Sequence, residues 1–449
     1  MATRVKDMTS GKPSRLIFTF AIPLMLGNMC QQLYSMVDTI VVGQGVGVEA
    51  LAALGAADWL NWMILGIIMG FTQGFSILVS QKFGSQNADE LRKSVAMSFK
   101  LGILMAVVLT ILSLVFAKPI LLLLNTPSNI INQSLTYLRI VFSGIIVITF
   151  YNLFSSILRA LGDSKTPLYA MIIAALINIA LDLLFVMVFQ MGVAGAAIAT
   201  VIAQIFSSIF CFNVLRKIDI LKMHKEDWKL ELKIVQTLVR LGSLTAFQNI
   251  VISVGGMVVQ SVVNGFGFIF VAGFTATNKL YGLLELAGVS FGYSVATFVG
   301  QNLGAKEYDR VRKGTKVAWK INVSISIVLA LIMVPFGKVV LHLFVSGDPT
   351  QVSQVLAIAY KYLLTMCLFL PVLYTLHIYR SSLQGMGDTF WPMVSGIAEL
   401  VMRVLVAIFL PMLLAEDGIY YAEITAWIGA VSILLLAYRY KDQHLEELY

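Results

Sequence analysis

Twelve apolar stretches, each about long enough to cross a bilayer, constrain this chain more than any other feature. They are residues 16–42, 51–79, 95–116, 138–158, 167–189, 193–214, 241–263, 268–299, 317–340, 362–379, 392–414 and 419–436. A crossing of roughly 30 Å of hydrocarbon needs about 20 residues of helix. Hydrocarbon offers no partner to backbone N–H and C=O groups, so the spans must be helices. Of the 449 residues, 58% are hydrophobic and 12% charged, where soluble domains carry about 25% charge. So few charges cannot cover so much apolar surface in water. A secreted enzyme, a disordered chain and a nucleic-acid binder are thereby excluded. The longest gap, residues 215–240, is too short for a separate soluble domain.

The net charge of +8 is what basic cytoplasmic loops give a membrane protein. Arg4, Lys6, Lys12 and Arg15 precede the first span. Every second gap is then the more basic one: Lys82, Arg92 and Lys93; Arg159 and Lys165; the segment from Arg216 to Arg240; Lys306 to Lys316; Arg380; and Arg439 with Lys441. This alternation predicts a multi-pass protein of the plasma membrane with both termini cytoplasmic, and outer loops at Gln44 and Gly347. No small-residue cleavage site follows the basic start, so the first apolar stretch is read as a span. Cys30, Cys211 and Cys367 lie in apolar segments and imply neither disulfide nor metal. The four histidines are scattered without metal-ligand spacing, and no P-loop or nucleophile motif is present. No cofactor is expected, and uphill transport would draw on an ion gradient or another subunit's ATPase.

The chain repeats itself. Residues 81–93 (QKFGSQNADELRK) and 301–313 (QNLGAKEYDRVRK) match at five of thirteen positions, at an offset of 220. LRALGDSKTP at 158–167 and LQGMGDTFWP at 383–392 share Leu, Gly, Asp and Pro at an offset of 225. Each repeat holds six spans, an even number, so both halves enter the membrane in the same direction. The expected fold is an all-α polytopic membrane protein of twelve transmembrane helices. Two six-helix bundles are related by a pseudo-two-fold axis along the membrane normal, with a cavity between them. The expected lobes are residues 1–214 and 241–449, joined by a cytoplasmic linker, 215–240, read as a solvated connector with anionic-lipid contact as the sharper alternative. Gly84 and Gly304 are expected to cap their helices in a left-handed conformation. Asn87 or Asp89 would start a short helix, with Arg92 and Lys93 toward the headgroups. Gly162–Asp163 would form a turn before a helix opening with Pro167.

Charges inside spans are costly and mark function. Asp38 on the first span and Asp182 on the fifth have no base in their own spans to neutralise them. Asn178 and Asp182 are four residues apart and share a helix face. An amide beside a carboxylate can hold a proton or a small cation. In the second half, offset 225 places Arg403 at the position of Asn178, with Glu399 one turn before it as a structural pair. Lys279 and Glu285 on span eight are six residues apart and cannot pair. Glu285, without a local partner, suits a cationic substrate. Asp58 stands in the outer third of span two. Tyr34, Tyr137 and Tyr293 stand near the acids or the expected cavity.

The whole chain resembles the multidrug and toxic compound extrusion (MATE) family, through its two six-span halves, its Gly-x-x-x-x-Asp loops, QQLYSMVDTIVVG at 31–43 and NIALD at 178–182. The last two patterns are similar to a DinF-like, MepA-like prokaryotic branch. The resemblance implies a cation or proton site at Asp38, Asn178 and Asp182, with Thr200 on span six supplying a hydroxyl and Gln31 and Tyr137 lining the same lobe. Span seven has no acid, unlike the branch with a glutamate there. The implied function is secondary active export of amphipathic cationic compounds in antiport with H+ or Na+ by alternating access, with protons preferred. Drug-like molecules and membrane lipids are the expected partners, without nucleic acid, and the expected state is a monomer. Two other readings remain: a flippase for a lipid-linked sugar, which would want a cationic cavity, and a membrane-embedded enzyme, for which no span offers a catalytic cluster.

Overall fold

The computed structural model describes residues 5–124, 126–345 and 348–448. Arg4 and Gly347 lie outside the described residues. The elements among them are all helical. They are α1 (Pro13–Gly45), α2 (Val48–Gly84), α3 (Ala88–Leu123), α4 (Ile131–Ser143), α5 (Ile145–Ala160), α6 (Lys165–Asp182), α7 (Gly192–Leu215), α8 (Leu232–Asn264), α9 (Phe268–Gly304), α10 (Tyr308–His342), α11 (Pro349–Gly385), α12 (Phe390–Phe409), α13 (Pro411–Leu414), α14 (Tyr421–Gln443) and α15 (Leu445–Leu448). A π-helical turn, Leu183–Val188, follows α6, and tight 3-10 turns occupy Asp219–Leu221, Lys225–Trp228 and Ala415–Tyr420.

Ten helical stretches among the described residues are long and apolar enough to cross a membrane. An eleventh crossing is α4 with α5, bent by 50°. The longest stretch, Phe390–Gln443, contains both α12 and α14, so each of the twelve expected spans has its helical counterpart. The α4–α5 bend falls at Gly144, where a Cβ would lie 2.7 Å from Val201 of α7. Only a residue without a side chain lets the bend press that closely on α7. Bare apolar faces, such as Ile327, Leu331 and Val334 on α10, suit a hydrocarbon solvent.

The chain divides into two compact units. The first comprises Met1–Asp7 and Ile22–Ala246; the second comprises Met8–Ala21 and Phe247–Tyr449. These bounds differ from the expected lobes at the first helix of each half. The division of α1 falls beside Pro23, which removes a helix hydrogen bond. In the first unit, α6 packs along α7 and α2 along α5; in the second, α9 packs along α11 and α12 along α14.

The repeated loops have definite structural work. Gly162 and Gly387 both adopt left-handed backbone, φ 82° and 81°, and each places an aspartate to cap the next helix. Asp163 Oδ1 accepts from the N–H of Lys165 and Thr166 at 3.0 and 2.9 Å. Asp388 Oδ1 accepts from those of Phe390 and Trp391 at 3.1 and 3.3 Å. The other loop pair corrects the expectation for Gly84 and Gly304. Both glycines stay helical, and the left-handed residues are Gln86 and Lys306, φ 55° and 60°. Asn87 does cap α3, accepting from the N–H of Glu90 at 3.1 Å, but that helix is 36 residues long rather than short.

Arg92 and Lys93 do not reach out to headgroups. Arg92 Nε donates to Asp227 Oδ2 at 3.2 Å, and Lys93 pairs with Glu231 at 3.2 Å. The linker is therefore tied to α3 while most of its side chains stay exposed. Asp227 also accepts from the N–H of His224 at 2.7 Å, and Trp228 meets Phe99 edge-on. Offset 220 carries Arg92 to Arg312, whose Nε pairs with Asp442 at 3.3 Å. Arg92 thus grips the linker after α7, while Arg312 grips the last turn of α14 at Asp442.

Candidate functional site

In the first unit, Gln31, Tyr34 and Asp38 follow one another on α1 at intervals that keep them on one helix face. Asp38 is buried, at 9% exposure. Asn178 and Asp182 are more so, at 1% and 0%, and share a face of α6. Asp182 ends the regular helix, and the backbone widens at once into the π turn. Such turns open a helix locally and concentrate at functional sites. The end of α1 rests on this turn, where a Cβ on Gly45 would lie 2.6 Å from Met187.

The side chains converge from α1, α4, α6 and α7. Asn178 Nδ2 donates to Thr200 Oγ1 at 3.4 Å. Asp38 and Asp182 are close enough to repel one another, and Asp58 acts on Asp38 in the same sense. Tyr34 and Tyr137 both stand in the field of the two acids, Tyr137 at 6% exposure. Gln204 lies beside Tyr34. It was not foreseen, although it sits one helical turn after Thr200 and so shares its face.

The polar balance is one-sided. Asp38 Oδ1, both carboxylate oxygens of Asp182, Asn178 Oδ1 and Gln204 Oε1 are buried without a hydrogen-bond donor. Buried acceptors are nearly always satisfied, and an exception asks for an explanation. Neither acid forms an ion pair with a base among the described residues. A group that supplies only positive charge, a proton or a small hard cation, fits this collection of oxygens.

Glu285 and Tyr293 lie on α9, in the second unit. Glu285, without a local partner in its own span, has a distant one. His377 Nε2 stands 3.2 Å from its Oε1. That histidine is 92 residues away in sequence, so spacing could not reveal it. The Glu399–Arg403 pair also proves to be part of something larger. Their closest atoms are 3.8 Å apart, while Glu399 binds Arg380 directly and Arg403 binds Glu423 at 2.7 Å. Arg380 also donates to Ser395 at 3.1 Å. It is buried at 8% exposure, a core residue of α11 rather than a loop base. Two guanidiniums and two carboxylates thus balance inside one bundle, where the first unit leaves its acids unbalanced.

The MatE family model matches residues 23–184 and 245–409. The chain belongs to the MatE family. The probable multidrug resistance protein YoeA of Bacillus subtilis (strain 168) is 31% identical over 397 residues, 86% of this chain and 84% of that protein. The probable multidrug resistance protein YpnP of the same organism is 31% identical over 378 residues, 81% of each. Among solved structures, an outward-facing multidrug resistance MATE family transporter of the MOP superfamily covers 100% of both chains with a TM-score of 0.92. At 22% identity, that likeness shows the shared fold.

Proposed function

We propose that the protein is a secondary active multidrug exporter, driven by a cation taken up at the Asp38–Asp182 cluster. One observation carries the reading: five buried acceptor oxygens gather around two carboxylates, with neither donor nor base to satisfy them. A proton bound there neutralises one acid and supplies a donor. Sodium would use the same oxygens together with the Thr200 hydroxyl. Protons are preferred because the Arg380, Glu399, Arg403 and Glu423 cluster balances its own charges and span seven carries no acid. Asp38, Asn178, Asp182 and Thr200 hold the ion. Gln31, Tyr34, Tyr137, Glu285 and Tyr293 are the residues that meet substrate.

Membership of the MatE family and relatives named as multidrug resistance proteins support export over a lipid-linked sugar flippase. A pyrophosphate substrate would also need unpaired buried bases, whereas Arg380 and Arg403 are matched by Glu399 and Glu423. The protein works as a monomer in the plasma membrane with both termini cytoplasmic. The test is ethidium accumulation in cells with and without the protein, in sodium-free and sodium-containing buffer. Expression lowers accumulation, and a protonophore removes the difference in sodium-free buffer. Accumulation unaffected by expression would overturn the export reading; efflux that persists with protonophore and without sodium would overturn the coupling.

A further inference from the structure

A cavity of about 410 Å3 opens in the first unit where the linker folds back over α3 and α7. Its walls are apolar, with Phe99, Phe212, Met223 and Trp228 prominent, and its rim is basic, with Arg216 and Lys222. Phe99 is eleven residues beyond the start of α3 at Ala88, about 16 Å along the helix, so the cavity reaches well past the loop. The wall is built, not incidental. Arg92 and His224 hold Asp227 in place, the Trp228 carbonyl accepts from Lys100, and the Trp228 ring lies edge-on to Phe99 at 6.1 Å.

We propose that this cavity holds an anionic phospholipid of the leaflet that bathes this end of the unit, with an acyl chain among the aromatic rings and the phosphate at Arg216 and Lys222. Charge and continuity select this occupant. Lys222 is shared with Asp219 at 2.7 Å, but the Arg216 guanidinium pairs with no acid among the described residues. Residues 215–233 carry six bases and four acids, leaving +2. An amphipathic cation would meet repulsion at this rim. A small free anion would leave the apolar volume unfilled. Phe212, at the lip, continues a bare stripe on α7 through Ile209 and Ile205, at 43%, 52% and 37% exposure. These stand at intervals of three and four residues, one face of a helix, so an acyl chain entering the cavity runs on into bilayer. Tryptophan at such a level, with basic residues beside it, is the usual company of headgroups.

The proposal is independent of the export reading and is tested without transport. The purified full chain is titrated with phosphatidylglycerol brominated on its acyl chains, with phosphatidylcholine of the same chains, and with glycerol phosphate. The Trp228 contribution to quenching is the difference between wild type and Trp228→Phe. Phosphatidylglycerol should half-saturate at a concentration about ten-fold below phosphatidylcholine, and Arg216→Gln should raise that concentration about five-fold. Lys217→Gln, adjacent but outside the cavity wall, should leave it unchanged. Should Trp228→Phe not fold, phosphatidylglycerol retained over phosphatidylcholine through purification, measured by native mass spectrometry of wild type and Arg216→Gln, gives the same comparison. Equal binding of the two lipids, or indifference to Arg216→Gln, would overturn the proposal. Competition by glycerol phosphate as strong as by the lipid would mean a site for a free anion instead.

Discussion

Asp182→Asn removes a charge from the first unit while barely changing its volume. In the Asp38–Asp182 cluster five buried oxygens lack donors: two on Asp182, one each on Asp38, Asn178 and Gln204. Each such group costs about 1–3 kcal/mol, so together they leave roughly 5–15 kcal/mol for a bound cation to recover. The substitution replaces one of Asp182's two acceptors with a donor and deletes the charge that holds the ion. Allosteric coupling between two ligands is typically about 1–3 kcal/mol, a 5–150-fold effect, and all of it should disappear. Ethidium uptake into proteoliposomes under a pH or sodium gradient should fall to the level of empty vesicles, with equilibrium ethidium binding retained. The melting temperature should stay level or rise, because an unpaired buried carboxylate has gone. Asn178→Ala removes one neutral acceptor, worth about 1 kcal/mol, so the half-saturating ion concentration should rise about five-fold while the maximal rate holds. Asp182→Asn transporting at the wild-type rate, or Asn178→Ala proving the more damaging, would refute the reasoning.

Three further outcomes follow from the same geometry. Glu285→Gln should weaken export of cationic dyes and spare neutral ones, whereas His377→Ala, which frees Glu285, should tighten ethidium binding about five-fold; both are read by equilibrium binding and efflux. Glu399→Gln leaves Arg403 with Glu423 but takes from Arg380 its acid, and should cost about 3–5 kcal/mol of stability, most of it recovered when Arg380→Met and Glu399→Met are combined; thermal melting in detergent checks this. For topology, Gln44→Cys should react with an impermeant maleimide in whole cells and Lys225→Cys should not, and the reverse would invert the orientation.

The twelve spans were legible because lipid leaves one way to satisfy a backbone, and the apolar runs had no other use. The helix-capping aspartates were legible as a repeat, although only coordinates show that Asp163 and Asp388 accept from the helices they precede. The acids of the first unit were visible because Asp38 and Asp182 stood in apolar runs without a local base. Long-range partners were not. Nothing in sequence joins His377 to Glu285, Glu423 to Arg403 or Asp227 to Arg92, because these pairs depend on how separate helices pack. Arg380 was misjudged for the same reason: near the end of a span, a base reads as a loop residue until an acid such as Glu399 is found facing it. The left-handed residues were misplaced by two positions because glycine is the usual occupant of that conformation, and here Gln86 and Lys306 adopt it.

What the two halves repeat and what they do not separate scaffold from chemistry. The retained features end helices and tie down chain: the Gly162 and Gly387 turns, the capping aspartates, and Arg92 with its counterpart Arg312. The features that diverge are the charges within the bundles. Offset 225 takes Asn178 to Arg403 and Asp182 to Ala407, so the ligand pair of one half becomes a cation and a methyl group in the other. That exchange has a consequence for energetics. A buried arginine needs acids, and Glu399 and Glu423 supply them within the same unit. The Arg380, Glu399, Arg403 and Glu423 cluster, balanced internally, has no charge left over for a passing ion to neutralise. A cluster that keeps two acids and five unsatisfied oxygens does. A ligand shifts a conformational equilibrium only through unequal affinity for the two states. The Asp38–Asp182 cluster, whose acids face no base among the described residues, is therefore where ion binding has the most energy to redistribute, and we propose that the drive for transport arises there.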